Sequence, residues 1–370
     1  MLSRHDAQED LAKVVAELPS YSSITGGNIL RAKARLAALG YGGIDVPSAL
    51  GGLGRSNLAQ MLVQFVAGYH DTDFRDIAHV AHGRMILRKG SSEQQSRWLP
   101  RILKGDLVGI AATEKHGGTT LDSITTKAMK ISDDRWLLSG EKFWISRITE
   151  SSVFVVFFKT ENQTRISAAL IDAQSPGITN EKCDPIGLRG WSWGRLHFEK
   201  CPFSQTDFLG AENEGLDVFR DHFLYYRPMV AATALGGAAA VFDTVRRQIK
   251  EKISSGMIRD CRDSALETLA RSYVTIHSSL LSALMAQKLV SAGVTQASVW
   301  SRVVKAQSID AACRVVSDLA ILAGARSYQA DDKINKVQRD LHGFLYADGV
   351  HDALYRAAGR SLLNSQNNSI

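Results

Sequence analysis

Residues 109–146 read GIAATEKHGGTTLDSITTKAMKISDDRWLLSGEKFWIS. Small residues (Gly109, Ala111, Ala112) lead into the polar pair Thr113-Glu114 and then Gly117-Gly118-Thr119-Thr120. Lys127, Met129 and Ile131 alternate with Ala128, Lys130 and Ser132, the two-residue period of a strand. Asp133-Asp134 predicts a turn into Trp136-Leu137-Leu138, and Ser139-Gly140 predicts a second turn before Phe143-Trp144-Ile145-Ser146. Two strands joined in this way predict antiparallel sheet. The Thr-Glu-x-x-Gly-Gly-Thr loop ahead of them offers backbone N–H groups and hydroxyls, which suit a phosphate or the polar edge of a ring.

Taken together and in order, this text resembles the acyl-CoA dehydrogenase flavoproteins. Thr113 to Thr120 stands where that family writes Thr-Glu-Pro-x-x-Gly-Ser-Asp, and Ser139 to Ser146 where it writes Asn-Gly-x-Lys-x-Trp-Ile-Thr. Trp144 alone would read as a core aromatic. The resemblance continues at Val46-Pro47 with Gly51-Gly52-Leu53-Gly54, at Gly187-Leu188-Arg189-Gly190-Trp191-Ser192, and at Arg227-Pro228-Met229-Val230-Ala231-Ala232. It covers roughly residues 30 to 363. It implies an α+β fold with an N-terminal helical domain (1–108), a middle β-barrel or sandwich domain (109–222) and a C-terminal four-helix bundle (223–370).

The residues themselves point the same way. Leu30 to Leu39 has helical composition and stops at Gly40, and Ser56 is placed to cap a helix through Met61, Leu62, Phe65 and Val66. Short β-like runs follow, Val153 to Phe158 and Ile166 to Ile171 among them. From Phe223 onward helical text returns, with a helix started by Arg227-Pro228 and further helices near 264–292, 298–323 and 349–363. His82 reads as a packed or solvated histidine in a helix and is assigned no role.

A chain of 370 residues exceeds a single core. Its 45% apolar and 22% charged residues are those of a globular protein. No run reads as a membrane helix, and the charged start MLSRHDAQED is unlike a signal segment, so the expected location is cytoplasmic with no membrane partner. Cys183, Cys201, Cys261 and Cys313 are too scattered for a metal site, so no metal is expected. The net charge of +6 is dispersed, which argues against nucleic acid and suits a coenzyme A or acyl-carrier-protein thioester.

The resemblance implies FAD, an acyl thioester substrate and a homodimer or homotetramer; it leaves the electron acceptor unspecified. Its reaction takes an α-proton with a carboxylate and passes a β-hydride to flavin. The spacing from Arg339-Asp340 and to Arg360 puts Asp348 at the position of the base, where the family usually has Glu. Asp is shorter by roughly 1.5 Å of reach. As a plain residue, Asp348 would equally serve as an N-cap for the last helix. Carried over position by position, Ala112, Thr113, Trp144 and Ser146 would contact the flavin and Gly118 and Thr119 would lie near the FAD pyrophosphate, with Thr119 and Arg227 toward substrate. Lys252, Ala320 and Gly324 would meet the adenine side from a neighbouring subunit. There Lys252 to Gly256 lacks the family's Arg fork and its Phe, which predicts a weakened FAD site. Two alternatives stay open: a flavin-dependent monooxygenase of the same fold, and a non-catalytic, flavin-poor relative.

Overall fold

The computed structural model describes residues 4–20, 24–118 and 121–364, with side chains from residue 9. Its first part is helical: α1 (Arg4–Glu17), α2 (Gly26–Ala38), α3 (Asn57–His70), α4 (Arg84–Lys89) and α5 (Ser92–Leu103). Helix α2 closes where Gly40 takes φ +92°, a conformation that a side chain disfavours. Ser56 caps α3, its hydroxyl accepting from the Ala59 N–H at 3.2 Å. Ile29, Leu36, Val63 and Phe74 bury the shared apolar face of this layer.

Seven strands form one mixed sheet among the described residues: β1 (Leu107–Ala111), β2 (Lys127–Ser132), β3 (Arg135–Ser146), β4 (Ser151–Thr160), β5 (Ile166–Asp172), β6 (Ile178–Cys183) and β7 (Trp193–Ser204). Their order is β1-β4-β2-β3-β7-β6, with β5 paired to β4. β4 is buried on both faces. Val153, Val155 and Phe157 pack against Trp98 and Ile102 of α5, while Phe154, Val156 and Phe158 pack with Trp136, Leu138 and Phe198. The sheet thus folds over its own core.

The Asp133-Asp134 turn joins β2 to β3 as expected, with Ser132 opposite Arg135. Ser139-Gly140 is not a turn: β3 runs through it, and the pairing with β7 shifts between Leu138 and Gly140 as a bulge. A Cβ on Gly140, at φ +145°, would lie 2.6 Å from Thr126 Oγ1, so the bulge needs glycine. The alternation in β2 is real, but Ala128 faces the core while Met129 and Ile131 are exposed.

The C-terminal part comprises α6 (Gly215–Ser254), α7 (Asp263–Ser291), α8 (Ala297–Ala323), α9 (Lys333–Tyr346) and α10 (His351–Asn364). The boundary expected at 222 falls inside α6, and Pro228 sits within that helix rather than opening it. The proline cannot donate to the Leu224 carbonyl, and Ser301 Oγ donates to it instead at 2.7 Å. Small residues draw α6 onto α3: a Cβ on Gly236 would lie 2.0 Å from the Phe65 carbonyl oxygen. Helix α9 was not expected. Its signal is Ile334, Val337, Leu341 and Phe344, all buried, behind an Asp332 cap.

One correction concerns the membrane. A window of α6 has mean hydropathy 1.4 and is long and apolar enough to span, but 78% of it is buried within the protein. It is the central helix of the bundle, packed on α3, α7 and α8.

Candidate active site

The loop after β1 is locked to β3 by one carboxylate. Glu114 accepts from the backbone N–H groups and hydroxyls of Thr125 and Thr126, at 2.6–2.9 Å, and pairs with Lys142 Nζ at 2.9 Å. Burial opposes the charge, but Lys142 and the threonine donors outweigh it and hold Glu114 down at about 2. Burial depresses Lys142 to about 8. Lys142 also donates to the Ala112 carbonyl (3.3 Å), and the Phe143 N–H donates to the Thr113 carbonyl (2.9 Å). Ala112 and Thr113 are thereby held beside the strand that carries Trp144 and Ser146.

Between Lys142 and Ile145 the ladder shifts again, and Trp144 takes φ +59° with 66% of its surface exposed. A bulge that throws a large aromatic off the sheet, next to a hydroxyl and a tight loop, fits the flavin end of FAD. The loop's tightness is shown at Gly118, where a Cβ would stand 2.7 Å from Thr113 Oγ1. Thr119 lies outside the described residues. Glu114→Gln should leave Lys142 buried without a counter-charge, costing about 3 kcal/mol of stability and loosening the loop. Thermal melting together with retained flavin absorbance checks this, and an unchanged melt contradicts it.

Asp348 is not a helix cap. Helix α10 begins at His351, and the Asp348 carboxylate instead meets Arg75 Nη1 at 3.2 Å, with both side chains under 10% exposed. Asp348 takes φ +60° and Gly349 +115°. That backbone is held from outside: Arg227 Nε donates to the Asp348 carbonyl at 3.0 Å, and Lys305 Nζ to the Gly349 and Phe344 carbonyls at 2.7 and 2.8 Å. Burial drives Arg227 down to about 10 and Lys305 to about 7. Arg227 therefore holds the loop that bears Asp348.

Four residues that carried no motif connect these two places. Arg147, next to Ser146, donates to Ser146 Oγ at 3.2 Å and pairs with Asp76. Asp76 also meets Arg75 Nε at 3.7 Å and accepts from the Tyr226 hydroxyl at 2.7 Å. Burial opposes its charge, yet Arg147 and Arg75 hold Asp76 below the usual carboxylate range. A cavity of about 10 Å³, room for about one water, lies here among Thr72, Arg75, Ser146, Arg147, Trp191 and Trp193. The only sequence signal was charge inside otherwise buried text.

His82 lies in a 3₁₀ turn ahead of α4, not in a helix, and its Nδ1 is 2.9 Å from Nε2 of His222. Burial depresses both, His82 to about 3 and His222 well below 6.5. Their contribution to stability is complete above the unfolded value near 6.5 and falls as pH drops below it, by about 1.4 kcal/mol per imidazole per pH unit. His222→Phe should flatten the loss of melting temperature between pH 6.5 and 4. An unchanged slope would show that other groups set it.

Asp71, Asp73 and Asp340 bring carboxylate oxygens within 4.8 Å of one another. Lys336 Nζ occupies the middle, 2.7, 2.9 and 2.5 Å from them in that order. One ammonium serves three buried carboxylates, and burial raises Asp73 above its usual range. Asp340 also accepts from the Leu188 N–H at 2.5 Å, and Asp73 from the Gly190 N–H at 3.1 Å. This cluster ties α9 to the Gly187–Ser192 segment.

Lys252 and Ala320 stand far along their helices from the residues that hold the Asp348 loop. Lys252 lies 25 residues beyond Arg227 on α6 (252 − 227), about 38 Å at the helical rise. Lys305, beside Asp348, precedes Ala320 by 15 residues on α8 (320 − 305), about 22 Å.

Three domain models of one family match the chain: acyl-CoA dehydrogenase N-terminal domain at residues 7–106, middle domain at 109–201 and C-terminal domain at 213–363. Isovaleryl-CoA dehydrogenase of Pongo abelii is 29% identical over 64% of this chain and 57% of its own length. Short-chain specific acyl-CoA dehydrogenase of Homo sapiens is 27% identical over 68% of this chain and 62% of its own. These alignments thus span less than two thirds of those relatives. Among solved structures, glutaryl-CoA dehydrogenase from Mycobacterium smegmatis in complex with FADH2 has a TM-score of 0.85 at 19% identity, covering 98% of this chain and 96% of that one. The prolyl acyl carrier protein oxidase AnaB also gives 0.85, at 18% identity, covering 97% and 99%. At such identities the structures attest the fold.

Proposed function

Because the chain belongs to the acyl-CoA dehydrogenase family, we propose that it is an FAD-dependent oxidoreductase that dehydrogenates the α,β bond of an acyl thioester. The observation that carries this reading is the joining of Ser146 to Asp348 through buried ion pairs, beside an exposed Trp144. Bound FAD would supply the acceptor for the hydride that leaves the β-carbon. Thr113 and Ser146 would present hydroxyls to it, Ala112 and Gly118 backbone, and Trp144 its ring. Asp348 takes the α-proton, so that the C–H bond pairs become the new double bond and the departing hydride. Arg227 keeps the Asp348 loop in place through its carbonyl.

The substrate is a coenzyme A or acyl-carrier-protein thioester. Relatives named for isovaleryl-CoA and short-chain acyl-CoA, and a fold neighbour named for prolyl acyl carrier protein, support that range. A second subunit supplies Lys252, Ala320 and Gly324 to the adenine end. The exposed apolar residues Leu266, Tyr273, Val274, Leu281 and Met285 along α7 support such an assembly.

The test is the visible spectrum of the purified protein, followed by anaerobic addition of acyl-CoA thioesters of increasing length. Bleaching of a bound flavin is the expected result. One observation favours a second reading, oxygenation with reduced flavin: the Asp348 carboxylate is already engaged by Arg75. A colourless protein that consumes oxygen only when given reduced flavin would establish it in place of the first.

A further inference from the structure

Ser146 and Asp348 lie 202 positions apart in sequence (348 − 146) and on different domains, yet one unbroken line of polar contacts joins them. Ser146 Oγ accepts from Arg147, Arg147 pairs with Asp76, Asp76 meets Arg75, and Arg75 meets the Asp348 carboxylate. The line is fixed from the sides. Tyr226 Oη donates to Asp76 at 2.7 Å, Lys33 Nζ donates to the Asp76 carbonyl at 2.8 Å, and Arg147 lies over the Trp191 ring at 5.2 Å. Arg75 in turn stands 5.7 Å from the centre of the Phe344 ring. Every side chain between the two ends is under 10% exposed.

Asp348 has one methylene fewer than a glutamate and sits on left-handed backbone. Among the described residues, its carboxylate has one salt-bridge partner, Arg75. We propose that Arg75 is a positioning residue: anchored on Asp76, it sets where the shortened Asp348 carboxylate stands relative to Ser146, and so relative to the α-carbon. This rests on the dehydrogenase reading. A base displaced by about 1 Å loses about 100-fold in rate, which is the scale of effect at stake.

The experiment compares wild type, Arg75→Met, Arg75→Lys and Asp348→Glu, alone and combined, by stopped-flow bleaching of the bound flavin with an acyl thioester. Arg75→Met should lower kcat about 100-fold while KM moves far less. Asp348→Glu should restore at least about 10-fold in the Arg75→Met background, because the longer side chain reaches without its guide. A merely structural arginine would not be rescued by that change; no rescue, or an undiminished kcat in Arg75→Met, overturns the proposal. If Arg75→Met does not fold, Arg75→Lys decides. A single ammonium should not reproduce the guanidinium's grip on both carboxylates, so wild-type kcat with Lys overturns the proposal and a loss near 10-fold supports it. Melting temperatures supply a readout free of catalysis: Arg75→Met and Asp348→Ala should each lower it, and the double variant no further than the worse single. Additive losses overturn the contact. A wild type that bleaches with no thioester retires the dehydrogenase reading and this role with it, whereas equal bleaching by wild type and Arg75→Met retires only the role.

Discussion

Asp348→Asn slows anaerobic bleaching of the flavin by an acyl thioester by about 10²- to 10⁴-fold and leaves the flavin bound. That is the usual contribution of a positioned base. The substitution keeps the shape of the side chain and removes its ability to take a proton. Because Arg227 grips the Asp348 carbonyl and Lys305 the Gly349 carbonyl, the loop's backbone supports do not depend on the carboxylate. Flavin content and melting should therefore change much less than rate. Exchange of the substrate α-proton with solvent deuterium separates proton removal from hydride transfer, and it should fall in parallel. Exchange that persists at the wild-type rate would move the base elsewhere and strengthen the oxygenation reading.

The second large effect concerns Asp76. It is fully buried, and it is the carboxylate that meets both Arg147 and Arg75. Asp76→Leu leaves the buried Arg147 without this counter-charge and, among the described residues, leaves Arg75 with Asp348. Removing one partner of a buried pair costs about 3–5 kcal/mol. The expected outcome is a fall in melting temperature or denaturant midpoint far beyond that of Asp184→Asn. Asp184 pairs with Arg189 where both are mostly exposed, and such a pair contributes about 0–1 kcal/mol. Similar effects from the two would mean that water reaches Asp76. Asp76→Asn should fall between, since it can still accept from Tyr226 Oη.

The half of the site proposed to face the flavin was legible because its structure is local. A tight loop, a bulged strand, an aromatic and a hydroxyl follow one another within residues 109–146, and their side chains act through backbone that the same stretch shapes. The helices capped at Gly40 and Ser56 were legible for the same reason. Helix α9 carries apolar spacing at Ile334, Val337, Leu341 and Phe344, but Lys336 and Asp340 interrupt it as charges that are satisfied only in the folded chain. Ser139-Gly140 carried a turn signal that the pairing with β7 overrode, and the long partner strand made a bulge the better solution.

By itself, then, the sequence determined the family, the three-part fold and the β2–β3 hairpin, and it singled out Asp348 as a candidate base. Tertiary structure alone decided what Asp348 touches. Arg75, Asp76, Arg147 and Tyr226 come from a turn after α3, the end of β3 and the middle of α6, and nothing in their spacing announces a common site. A buried charge has to find a partner wherever the packing offers one, and that choice is made in three dimensions, between residues that are strangers along the chain.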